Sequence, residues 1–136
     1  MNLSELMVDT KSAWIEYPAY PGFQVELVHL SRPELTALRK RCLTTKFDKA
    51  TRKAVEELNE DKFITEFTKA TVKNWKGFKL KYLEDFVLVD LSNVDPELEL
   101  EFSAENAKLL VTNSSEFDSW INDTVFDLSN FRTGAA

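Results

Sequence analysis

Glycine, cysteine and histidine are nearly missing from this chain, whose 136 residues hold 3 Gly, 1 Cys and 1 His. Phosphate-cradling loops of the GxxxxGK(S/T) and GxGxxG kinds need closely spaced glycines, because the backbone must approach the phosphates with no Cβ in the way. Gly22, Gly77 and Gly134 stand far apart, so both loops are excluded. Zinc sites built from clustered thiolates and imidazoles are excluded too, since Cys42 and His29 are the whole supply. One cysteine closes no disulfide within the chain, and the lone thiol fits a reducing compartment or a small buried apolar side chain. Long apolar runs are also missing, none approaching the ~20 residues of a membrane-crossing helix. Bases are outnumbered, 17 Lys and Arg against 23 Asp and Glu, and the net charge of −6 opposes binding to nucleic acid or anionic lipid. The segment 1–7 carries an acid where a secretory signal would carry bases, so a cytosolic location is expected.

What is present suits a globular protein. Hydrophobic residues make up 43% of the chain, with 10 Phe and 3 Trp, too many for a disordered one. The length suits one domain, expected over residues 1–130, with 131–136 as a flexible tail. Residues 13–17 and 23–30 read as strands, with Phe23, Val25, Leu27 and His29 alternating with Gln24, Glu26, Val28 and Leu30. The Pro21-Gly22 pair between them signals a turn, so a β-hairpin is expected. Ser31 and Glu34 form a capping-box pattern with Pro33 in the first turn of a helix whose apolar stripe is Leu35, Leu38 and Cys42, ending near Thr44. The charged stretch 46–61 reads as either the start of a second helix or a mobile connection. From Asp61 to Lys76 the positions Phe63, Ile64, Phe67, Thr71, Asn74 and Trp75 share a helical face, with Gly77 as C-cap. Residues 86–91 read as a strand, and Ser103 and Ser114 or Ser115 as caps of two short helices. The expected fold is thus α+β and mostly helical: an N-terminal β-hairpin, then a helical domain with short helices at the C-terminus.

Chemistry-bearing residues are few. His29 sits in an apolar strand with no nucleophile motif nearby, which suits a structural imidazole better than a general base. Cys42 falls on the apolar stripe of its helix and suits packing. Glu84, Asp85, Asp90 and Asp95 bracket one apolar segment, and such acids can run glycoside chemistry or hold a hard cation. Acid-rich sequences also produce that spacing without a site, and no EF-hand loop is present. No cofactor, metal or catalytic residue is therefore expected. The aromatic residues suggest binding instead: Phe67 and Trp75 on one predicted helix, with Phe117, Trp120 and Ile121 on another, would serve either as core or as a groove for the apolar face of a partner helix.

The order of features over residues 71–131 has a counterpart. Val72-Lys-Asn-Trp-Lys-Gly-Phe78, an apolar segment ending at Asp90, Glu101-Phe-Ser-Ala-Glu-Asn-Ala-Lys-Leu-Leu110, and a final aromatic-rich helix together resemble the tail assembly chaperones of long-tailed, siphovirus-like bacteriophages. The resemblance implies a non-enzymatic role: binding and solubilising the long helical tape measure protein in the host cell cytoplasm and helping to recruit tail tube subunits. It further implies self-association into a homo-oligomer, a longer frameshifted form that engages the tail tube protein, and absence from the mature virion. Client or self-association contacts are expected at Phe67, Trp75, Phe117, Trp120 and Ile121. The alternative is a structural virion component such as a tail terminator or adaptor, and an enzyme using Asp85 or Asp90 comes third.

Overall fold

A computed structural model describes residues 1–8 and 11–132. It is an α+β structure with two small antiparallel sheets. A helical turn, α1 (Leu3–Leu6), precedes β1 (Ser12–Glu16) and β2 (Gln24–Val28), which pair antiparallel from Ser12 opposite Val28 to Glu16 opposite Gln24. The alternation read in the sequence holds, with Val25 and Leu27 fully buried and their neighbours half-buried. The turn between the strands is closed by Tyr17 N–H to the Phe23 carbonyl at 2.8 Å and by Gly22 N–H to Glu16 Oε1 at 2.8 Å.

This pair is not a free-standing hairpin. A third strand, β5 (Val72–Lys76), lies against β2, so the sheet order is β1-β2-β5 with β2 in the centre. The helix expected over 61–76 is therefore shorter: α3 runs from Glu60 to Thr71, capped by Asn59, whose side chain accepts from Lys62 N–H at 3.1 Å. The register of β5 explains the discrepancy. Asn74 lies opposite Glu26 and Val72 opposite Leu27, so Lys73 is an extra residue, and the irregularity puts Val72 and Trp75 on one face three positions apart. A bulge thereby imitates helical spacing. Gly77 is not a helix C-cap either. It leaves β5 with φ +70°, and a Cβ there would collide with the carbonyl oxygen of Gly22.

Helix α2 (Arg32–Arg41) carries the expected capping box, Glu34 N–H to Ser31 Oγ at 3.3 Å, but ends three residues before Thr44. The charged stretch 46–61 is not a connection, and only its last two residues, Glu60 and Asp61, start a helix. It supplies most of a second antiparallel pair, β3 (Leu43–Asp48) and β4 (Lys53–Leu58), which leaves the body between Cys42 and Asn59, themselves joined by a backbone hydrogen bond of 2.8 Å. Residues 86–91 form no strand: a 3₁₀ helix at Leu80–Asp85 is followed by turns and irregular backbone. Helices α4 (Ala104–Asn113) and α5 (Ser115–Val125) begin at Ser103 and Ser114, whose hydroxyls accept from Asn106 N–H at 3.0 Å and Phe117 N–H at 3.2 Å. Ser114 also ends α4, so one buried serine serves both helices.

One cluster of buried side chains joins the inner face of the three-stranded sheet to α2 through α5. Aromatic rings pair within it and at its edge: the fully buried Phe23 and Phe78 lie 4.2 Å apart between centroids, and the half-buried Tyr20 stacks on Tyr82 at 4.1 Å. Phe131, placed by the sequence in a loose tail, is buried in a last 3₁₀ turn against His29. Residues 133–136, including Gly134, lie outside the described residues.

Candidate functional site

Four of the five residues expected to contact a client are core. Phe117 and Ile121 are fully buried on the inner face of α5, Phe67 is buried on α3, and Trp75 is buried on β5 rather than on a helix. Trp75, Phe78, Phe86, Phe117 and Trp120 form a continuous run of ring contacts at 5.3 to 6.1 Å between centroids. The indole N–H of Trp75 is satisfied by the Leu100 carbonyl at 2.8 Å, as burial of a donor requires. Trp120 alone keeps some exposure, with its ring edge-on to Tyr17 at 5.0 Å. Burial of the other four removes them as open surface in the folded chain.

The candidate chemical residues have structural partners. His29 Nδ1 lies 2.7 Å from the Val125 carbonyl, so this nitrogen carries the proton, and its ring rests near Phe131. Cys42 is fully buried. The acids around the 86–91 segment shape turns: Asp90 Oδ1 accepts from Ser92 N–H at 3.0 Å and Asp95 Oδ1 from Glu97 N–H at 2.9 Å. The hydrogen bonds from Ser92 hold the Asp90 carboxyl below its usual range, opposite to the direction a general acid needs. Among the described residues no group of three or more His, Cys, Asp or Glu is placed to hold a metal ion. No helix among them is long and apolar enough to cross a membrane.

The open apolar surface lies elsewhere. Because residues 86–91 find no partner strand, their side chains are not drawn into a sheet, and Leu88 is fully exposed. With Leu83, Val87, Leu100, Leu109 and Leu110 it lines a groove of about 580 Å³ against the outer side of α4. Leu109 is half exposed at 52%, while Leu83 and Leu110 form the buried floor. A second groove of about 430 Å³ runs between α3 and α4 over Val72, Phe102 and Ala107, with Lys69, Lys73 and Lys108 at its margin. Thr68 lines it and is buried, its Oγ1 without a hydrogen-bond partner. Sequence reasoning missed Leu88 and Leu109. The available signal was an apolar run, 86–91, bracketed by carboxylates. The chain matches no protein-family model, no curated protein and no solved structure.

Proposed function

We propose that this chain is a phage tail assembly chaperone that binds its client through apolar side chains rather than performing chemistry. The supporting observation is the groove beside α4, where Leu88 and Leu109 project from a buried leucine floor. Exposed leucines over such a floor suit the apolar face of an amphipathic helix, which inserts side chains at i, i+3, i+4 and i+7. A tape measure protein, long and helical, presents such a face repeatedly. The acidic exterior keeps the loaded complex soluble, and the client contacts move from Phe67, Trp75, Phe117 and Ile121 to Leu88, Val89 and Leu109. Recruitment of tail tube protein, through a longer frameshifted form, belongs to the same reading.

The experiment separates chaperone from virion component. Tagged protein recovered from infected cells is expected to carry the tape measure protein, and purified particles are expected to lack the chain by mass spectrometry. Stoichiometric presence in particles would replace this reading with a tail terminator or adaptor.

A further inference from the structure

A threonine inside a helix can satisfy its hydroxyl on the carbonyl four residues back, and α3 does this twice. Thr65 Oγ1 donates to the Asp61 carbonyl at 3.0 Å and Thr71 Oγ1 to the Phe67 carbonyl at 2.8 Å. Thr68, between them on the same helix, does not. It is 3% exposed, and its Oγ1 has no hydrogen-bond partner. A buried hydroxyl left unmatched destabilises a fold, and native structures hold few of them.

Thr68 lines the groove that runs between α3 and α4 over Val72, Phe102 and Ala107. Its volume of about 430 Å³ falls within the roughly 300–1,000 Å³ of small-molecule sites, which likewise set a few polar groups in apolar walls. Threonine in a helix has two accessible rotamers, so an acceptor atom in the groove can draw the hydroxyl out of the wall.

The charges at the margin set the sign of the ligand. Lys108 Nζ is taken by Asp61 at 3.0 Å. Lys73 Nζ donates to the Lys69 carbonyl at 2.6 Å, which holds that ammonium over the last turn of α3, and neither Lys69 nor Lys73 is in a described ion pair. Glu105 is the one carboxylate lining the groove. Set against either of these lysines, it still leaves the margin positive, in a chain whose net charge is −6.

We propose that this groove binds a small amphiphilic carboxylate, its apolar chain over Val72, Phe102 and Ala107 and its carboxylate accepting from Thr68 Oγ1 and facing Lys69 and Lys73. The ligand then supplies the partner that the folded chain withholds from Thr68. No residue lines both this groove and the one beside α4, so the site stands apart from the client reading.

The test is an NMR titration of the isotope-labelled full chain with octanoate, octanol and octylammonium in turn. Octanoate is expected to move amide signals within residues 65–73 and 102–108, to saturate, and to bind about fivefold tighter than octanol, with octylammonium weakest. Thr68→Val keeps the shape and removes the hydroxyl: it should melt no lower than wild type and bind octanoate at least about fivefold more weakly. Lys69→Gln with Lys73→Gln, at two exposed positions, should bring octanoate down to the affinity of octanol. Absence of saturable shifts, shifts confined to other parts of the chain, octanol or octylammonium binding as tightly as octanoate, a Thr68→Val that melts lower, or folded variants that bind octanoate unchanged would each overturn the proposal.

Discussion

Gly77 and Gly22 both have positive φ, yet they are not equivalent. A Cβ at Gly77 would meet the Gly22 carbonyl, whereas one at Gly22 meets nothing within 4 Å. Gly22→Ala is expected to cost about 1–2 kcal/mol from its left-handed backbone alone. Gly77→Ala adds a backbone collision and should cost clearly more, compared through urea midpoints. Tyr17 makes a pH-dependent contribution. Its buried hydroxyl donates to Glu116 Oε1 at 2.9 Å, and burial first, then this bond and the carboxylate's charge, push its pKa from 10.0 up to about 12. The proton is held more tightly in the folded state, so the stabilisation is complete below pH 10 and is lost as pH rises towards 12. Tyr17→Phe should flatten that loss in a series of melting temperatures. Phe117→Ala should cost about 3–5 kcal/mol, the range for truncating a buried phenylalanine. Leu88→Asp, at a fully exposed position, should stay within about 0.5 kcal/mol of wild type.

Elements announced by local hydrogen-bond chemistry were legible in the sequence. Ser31 with Glu34, Ser103 and Ser114 each cap the helix expected of them, because a hydroxyl beside free N–H groups acts without distant partners. Elements whose identity depends on a neighbour were not. β5 exists because β2 offers it an edge, and its bulge at Lys73 gave Val72 and Trp75 a spacing that a helix also satisfies. β3 and β4 have no buried face, so the apolar periodicity that reveals most strands is weak there. Residues 86–91 have strand composition but no partner, and composition alone does not supply one. The candidate site suffered for the same reason: the aromatic stripes were visible, but whether each faced inward depended on the sheet. The hairpin leaves and rejoins the body at Cys42 and Asn59, already hydrogen-bonded at 2.8 Å. Replacing residues 44–57 with a short Gly/Ser linker should therefore preserve the helical signal in circular dichroism.

At the scale of the whole molecule, the aromatic content that looked like contact surface builds the core, and the open apolar surface is left to leucines such as Leu88 on irregular backbone and Leu109 on α4. The poverty in glycine, histidine and cysteine agrees with that division: two described glycines shape turns, the imidazole holds α5 to β2, and the thiol packs. The acids at 84, 85, 90, 95, 97, 99 and 101 have no Lys or Arg among them, whereas the hairpin mixes four bases with three acids. A chaperone of this design would carry a client in the groove beside α4. The most direct measurement is the soluble fraction of the tape measure protein when the two are co-expressed. Wild-type chain should keep the client soluble and co-purify with it, and Leu88→Asp with Leu109→Asp should lose both effects while melting as wild type does. A client that stays equally soluble and bound with the folded double variant would contradict the assignment of the groove, and a client unaffected by the wild-type chain would contradict the function.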